Sequence, residues 1–140
     1  ALPVDLSVKV GISLAYLGRD AEAQGYLDEL VAGGPEDCPD LFMDVADCYW
    51  ALGKADKAFV HYHALQTRPD YDTPRLWAQL ASCKCLCQEP DAAVNVYDEV
   101  LADRPDDHEA MVARAELLFE LKRKEDTEAA LADLPPLPAA

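Results

Sequence analysis

The chain has 140 residues, enough for a single domain with a sizeable buried core. Hydrophobic residues make up 51% of it and charged residues 28%, a balance typical of folded proteins and unlike that of disordered ones. Its formal net charge of −15 argues against direct nucleic-acid binding, because phosphates are bound by clustered Lys and Arg side chains.

Amphipathic stretches at helical spacing follow one another along the chain, separated by turn residues and prolines. Pro90 stands where a helix opens, and Asp40, Asp56, Asp72 and Asp107 stand near helix starts, where carboxylates satisfy free N–H groups. We therefore expect an all-α chain with almost no strand. The predicted helices span, in chain order, residues 4–17, 20–33, 39–52, 55–68, 74–87, 90–103, 107–122 and 125–133.

The helices form a repeat. A small residue in the first helix of each pair recurs at spacings of 35, 35 and 34 residues, and the second helix carries its own series of small and large residues in phase. This period is that of the tetratricopeptide repeat, a pair of helices of ~34 residues. The first series is Gly11, Ala46, Ala81 and Ala115, and the second is Ala23, Ala58, Ala93 and Thr127.

The tyrosines and prolines in phase, together with Trp77 at the signature tryptophan position, decide in favour of this repeat over a merely alanine-rich chain. We predict a tetratricopeptide-like, right-handed helical solenoid of about eight antiparallel helices. Its repeats cover residues 1–134, and a Pro-rich tail occupies residues 135–140. The individual repeats are about 4–37, 39–72, 74–107 and a degenerate 108–134.

The chain lacks the motifs of common catalytic sites. There is no glycine-rich phosphate loop and no Gly-x-Ser-x-Gly elbow, and the carboxylates form no clear pair in a pocket. We expect neither an enzyme nor a bound cofactor. No apolar run approaches the ~18 residues of a membrane span, so we expect no membrane-spanning helix. The sequence begins with Ala1 rather than Met and has no positively charged region ahead of an apolar core, so either a leader has been removed or, as we expect, the chain is a fragment of a longer protein.

Five cysteines, an odd number with three inside five residues, indicate a reducing compartment rather than a disulfide framework. A metal site formed by Cys83, Cys87 and either His61 or His63 is conceivable. The spacing is not that of a C-x2-C ligand pair, however, and buried structural cysteines are commoner. We therefore predict a reduced protein without metal.

The first helix of each pair lines the concave face of such a solenoid, which predicts where a protein segment would bind. Arg75 is the only basic residue of this surface, so a clamp for a terminal carboxylate, as in co-chaperones, is disfavoured. Alternatively, Trp50 and Phe119 simply pack between helices. The predicted partner-binding groove comprises Val8, Ile12, Met43, Asp47, Trp50, Arg75, Ser82, Glu116 and Phe119.

Two segments outside the repeat consensus point to a particular family: residues 3–6, Pro-Val-Asp-Leu, and the Pro-Glu-Asp of 35–37 followed by Asp-Leu-Phe-Met at 40–43. With Trp77 and Tyr97 in phase, the chain resembles, over roughly residues 2–110, the tetratricopeptide subunit of general transcription factor IIIC.

The resemblance implies a scaffold in the assembly of the RNA polymerase III initiation machinery, with no catalytic residue. Its implied partners are other transcription factor IIIC subunits and factor IIIB components, and its implied location is the nucleus. The alternative is a generic tetratricopeptide adaptor or co-chaperone-like assembly protein in the cytosol. A regulatory domain of an enzyme is a third possibility.

Overall fold

A computed structural model describes residues 3–33 and 38–132, and within these ranges every regular element is an α-helix. The predicted all-α class is therefore confirmed. The helices are α1 (Val4–Tyr16), α2 (Asp20–Gly33), α3 (Pro39–Ala51), α4 (Ala55–Leu65), α5 (Pro74–Leu86), α6 (Pro90–Asp103) and α7 (His108–Ala132).

The turn inside each of the first three repeats is built in the same way. One residue adopts a left-handed backbone, with φ of 78° at Gly18, 76° at Gly53 and 63° at Gln88. The next residue donates its N–H to a carbonyl five positions back, which closes the preceding helix. These bonds are Arg19 N to Leu14 O at 3.0 Å, Lys54 N to Tyr49 O at 2.8 Å and Glu89 N to Lys84 O at 2.9 Å.

The chain divides into two compact units, Ala1–Ala93 and Val94–Ala140. In the first unit α1 packs on α2, α3 packs on α4, and α4 also packs on α5. Small residues allow these helices to approach closely. Ala58 is fully buried, and a Cβ at Gly11 would lie only 2.7 Å from Leu27 Cδ2 across the α1–α2 contact.

The prediction of two helices at 107–122 and 125–133 is wrong, because α7 runs without interruption from His108 to Ala132. Lys122 occupies the position of Gly18, Gly53 and Gln88 but lies inside the helix. Residues 118–132 contain neither Gly nor Pro and are mostly good helix formers, so nothing local stops the helix.

The other predicted helix ends lie within three residues of the observed ones, and α2 and α6 match the prediction at both ends. The largest of these differences is at α4, which ends at Leu65 rather than at residue 68. Arg68 precedes Pro69, and a residue before proline is disfavoured in a helical conformation. The predicted Pro-rich tail, residues 135–140, lies outside the described residues.

Candidate functional site

The first unit contains a pocket of about 270 Å³ between α3, α5 and the connection from α4 to α5. Helix α3 contributes one carboxylate and one apolar side chain to its lining, and the connection adds an aromatic ring and a further carboxylate. The residues that line it are Met43, Asp47, Asp70, Tyr71, Thr73, Arg75, Leu76 and Gln79.

A hydrogen bond from a buried tyrosine fixes the carboxylate of Asp47. The hydroxyl of Tyr62, on α4, donates a hydrogen bond of 2.6 Å to Asp47 Oδ1. Tyr62 is fully buried, and this burial, reinforced by the hydrogen bond to Asp47, raises the pKa of its hydroxyl. The hydroxyl therefore remains a donor, and the Asp47 carboxylate presents its remaining lone pairs to the pocket.

Hydrogen bonds also fix the connection between α4 and α5. Tyr71 donates its hydroxyl proton to Asp40 at the start of α3. Thr73 caps α5 by accepting the N–H of Leu76 at 3.4 Å. Trp77 Nε1 donates to Asp72 Oδ1 at 2.6 Å. The connection is thus attached to α3 and to α5, the first helices of the second and third repeats.

The surface around the pocket is acidic. The pKa of Asp44 is raised, first by partial burial and then by the neighbouring carboxylates of Asp47 and Asp40. Among the described residues that line the pocket, Arg75 is the one cation, against Asp47 and Asp70. A positively charged group would relieve this crowding of like charges, so the pocket is suited to a cation beside an apolar surface.

The structure brings together three residues of the predicted groove, Met43, Asp47 and Arg75, in this one pocket. The structure corrects the prediction for Val8. Only 1% of its surface is exposed, because its side chain packs in the core of the first unit, where a partner cannot contact it. Ile12, Trp50 and Ser82 are half-buried and do not line the pocket, while Glu116 and Phe119 are exposed on α7 in the second unit.

The predicted groove did not include five residues of the pocket lining: Asp70, Tyr71, Thr73, Leu76 and Gln79. The first three lie in the connection, which the repeat phase does not describe. A signal was present in Pro69-Asp70-Tyr71, where an aromatic residue follows a turn-forming pair at the end of a helix. Tyrosine is enriched among the residues that contribute most to protein–protein binding.

Cys48 and Cys83 are buried thiols. Burial raises the pKa of Cys83 to about 11, which keeps it protonated and unreactive at neutral pH. Residues 3–33 and 38–132 contain no group of three His, Cys, Asp or Glu side chains that could hold a metal ion. No helix in the same ranges is long and apolar enough to span a membrane.

Comparison with known proteins identifies tetratricopeptide repeats in two parts of the chain. Two models of the tetratricopeptide repeat family match, one over residues 10–72 and the other over residues 87–139. A solved structure titled MamA D159K mutant has the same fold, with a TM-score of 0.51, 19% identity, and coverage of 89% of this chain and 72% of that one.

Among curated proteins the chain is similar to human general transcription factor 3C polypeptide 3. The two are 27% identical over 124 residues, which cover 89% of this chain. The match spans only 14% of the human protein, so it concerns a small part of that relative.

Proposed function

We infer that this chain, a tetratricopeptide-repeat protein that serves as a scaffold for other proteins, binds a partner segment in the pocket between α3 and α5. The observation that carries this inference is the combination found there. A fixed carboxylate, Asp47, and the apolar side chain of Met43 line the same pocket as Asp70 and Tyr71 from the connection. Such a pocket accepts an extended chain without any catalytic group.

The partner segment carries a Lys or Arg next to a large apolar residue. Its charge offsets the repulsion among the carboxylates around Asp44, and the pocket lining includes Tyr71, an aromatic residue of the kind that attracts cations. The apolar residue packs on Met43. A desolvated apolar anchor typically contributes ~2 kcal/mol or more, whereas charges at a rim mainly accelerate the encounter.

The likeness to the human transcription factor 3C subunit supports a more specific role. In this role the chain is part of a nuclear scaffold that assembles the RNA polymerase III initiation machinery, and its partners are other factor IIIC subunits and factor IIIB components. The second candidate is a generic adaptor in the cytosol. A co-chaperone-like clamp for a terminal carboxylate fits less well, because the described pocket lining has one cation, Arg75, against two carboxylates.

The test is to measure binding of the chain to factor IIIB components and factor IIIC subunits, with Asp70→Lys as the probe variant. Asp70 is exposed and lines the pocket, and we expect its reversal to weaken binding about tenfold, or ~1.4 kcal/mol. Asp106→Lys is the matched control, since Asp106 is also exposed, also follows a proline in a turn, and changes the net charge equally.

Equal losses for the two variants would show that only overall charge matters and would refute the pocket. Loss confined to Asp70→Lys supports it. If no factor IIIB or IIIC component binds, but a basic segment of another protein does so with the same sensitivity to Asp70→Lys, the adaptor role replaces the transcription role.

A further inference from the structure

One side of α7 presents both apolar and charged side chains to solvent. Val112 and Phe119 are 56% and 62% exposed, and Glu116 and Arg123 are exposed as well. These four positions follow one another at spacings of four, three and four residues, which places them on the same side of the helix. We call this set of four residues the α7 stripe.

The C-terminal end of the α7 stripe combines a large apolar side chain with a cation. The guanidinium carbon of Arg123 lies 5.9 Å from the centre of the Phe119 ring, which is within the range of a cation–π contact. Arg123 belongs to residues 122–124, Lys-Arg-Lys, which are the one run of adjacent basic residues in the sequence. In a chain with a net charge of −15, the densest positive charge along the sequence therefore lies next to an exposed aromatic ring.

The pocket between α3 and α5 is complementary to this combination. Met43 and Leu76 contribute apolar side chains to its lining, and Asp47 and Asp70 contribute carboxylates. An apolar cavity of ~150 Å³ is large enough to bind benzene. The pocket, at about 270 Å³, therefore has room for the ring of Phe119.

We propose that the pocket binds the α7 stripe of a second copy of this chain. The ring of Phe119 enters the pocket beside Met43, and the guanidinium of Arg123 pairs with the carboxylates of Asp47 and Asp70. This inference rests on the proposed function, because it uses the same pocket and the same partner chemistry, presented here on a helix. An amphipathic helix binds a groove through side chains that are one and two turns apart, as Phe119 is from Arg123 and Val112.

Charge complementarity supports this occupant on both sides of the contact. The described pocket lining carries two carboxylates and one cation, Arg75. The α7 stripe carries one carboxylate, Glu116, and ends in the basic run of residues 122–124. Each surface therefore offers the charges that the other lacks, and such a match favours one partner over others and speeds the encounter.

The contact joins two different surfaces, so every copy carries one of each. The pocket lies in the first unit and the α7 stripe lies in the second, and the described lining of the pocket contains no residue of α7. An interface between unlike surfaces either closes into a ring or continues from copy to copy. Because a single pocket buries little surface, we expect weak association that becomes appreciable only at high concentration.

The experiment is sedimentation velocity of the whole chain from about 10 to about 500 µM, because association depends on concentration. A salt concentration of ~0.15 M screens the repulsion between acidic copies beyond ~8 Å. We expect the average mass to rise with concentration. Phe119→Asp and Arg123→Glu alter the stripe, Asp70→Lys alters the pocket, and each should raise the dissociation constant at least about tenfold. All three residues are exposed, so circular dichroism should show unchanged helicity.

Lys124→Glu is the matched control for Arg123→Glu. Both residues are exposed on α7, and both substitutions change the net charge equally. Lys124 lies five residues after Phe119, which places it on another side of the helix. We expect association within about twofold of the parent for Lys124→Glu. Equal losses for the two variants would show that only overall charge matters and would overturn the proposal.

Mixing two variants shows whether the pocket pairs with the stripe. Asp70→Lys retains the stripe and Phe119→Asp retains the pocket, so each alone should be monomeric and an equimolar mixture should form a dimer that cannot extend. A mixture that stays monomeric would overturn the proposal, and so would an Asp70→Lys chain that associates like the parent, because the stripes would then pair with each other.

The outcome is separable from that of the proposed function. A parent chain that is monomeric throughout, but whose binding to factor IIIB or IIIC components depends on Asp70, would overturn the second copy as the occupant and leave the proposed function standing. A parent that self-associates through Asp70 and Phe119, and binds none of those components, would support the second copy and refute the transcription role.

Discussion

The second and fourth repeats have similar first helices that differ in what covers them. In α3, Phe42 and Ala46 are almost completely buried, whereas in α7 the equivalent Met111 and Ala115 are exposed. Both helices carry the small and large residues of the repeat at the same spacing. The difference arises at the turn, where Gly53 reverses the chain and Lys122 does not.

An apolar pattern thus defines which face of a helix can be buried, while the following turn decides whether that face is buried. Hydrophobic stabilisation is roughly proportional to the apolar area removed from water. The same substitution should therefore have very different effects in the two helices. Pairs of substitutions at equivalent or chemically matched positions can measure this difference.

The largest expected difference is between Phe42→Ala and Met111→Ala. Phe42 is 2% exposed and contacts the ring of His61, so its truncation leaves a cavity and should cost about 3–5 kcal/mol of unfolding free energy. Met111→Ala should change it by about 0.5 kcal/mol or less, as at other exposed positions. Urea denaturation measures both, and a comparable loss at Met111 would contradict the exposure of its side chain on α7.

Next in size is the pair Gly11→Ala and Gly25→Ala. Both glycines lie in helices, but a Cβ at Gly11 would meet buried Leu27, whereas one at Gly25 would meet nothing within 4 Å. We expect Gly11→Ala to destabilise by roughly 1–3 kcal/mol through overpacking and Gly25→Ala to stabilise by roughly 0.5–1 kcal/mol. Thermal unfolding should show shifts of opposite sign, and two upward shifts would refute the close α1–α2 approach.

A smaller difference separates Gly53→Ala from Lys122→Ala. The left-handed backbone at Gly53 is strained for alanine, so this change should cost roughly 1 kcal/mol or slightly more. Lys122 lies within α7, where alanine is at least as good a helix former, and the stability should remain within ~0.5 kcal/mol. A marked loss at Lys122, measured by chemical denaturation, would indicate a role for its side chain that α7 does not explain.

The smallest effect concerns Asp44. Burial and the adjacent carboxylates of Asp47 and Asp40 raise its pKa in the folded chain above the ordinary value of 3.8. The folded state therefore holds a proton that the unfolded state releases, and stability falls as pH rises through that window. Asp44→Asn should be slightly more stable than the parent at pH 7 and equal to it below the ordinary pKa. Equal pH profiles would contradict the carboxylate repulsion.

The features that recur in every repeat could be predicted from the sequence alone. The spacing of Gly11, Ala46 and Ala81 depends on helix–helix distance, which every repeat shares, and it predicted the fold and most helix ends. The straight α7 was not predicted, because repeat phase says nothing about whether Lys122 will adopt a turn. Tyr71 was missed in the candidate site because connections vary between repeats, and Val8 was misplaced because the phase does not reveal how deeply a position is covered.

Amide hydrogen exchange of the chain, with and without a bound factor IIIB or IIIC component, tests the proposed scaffold role most directly. Binding in the pocket should slow exchange in α3 and in residues 66–79, which contain the connection and the start of α5. Exchange in the exposed parts of α2 should be unchanged. Protection confined to α2 or to the outer side of α4, with none in residues 66–79, would contradict binding in the pocket.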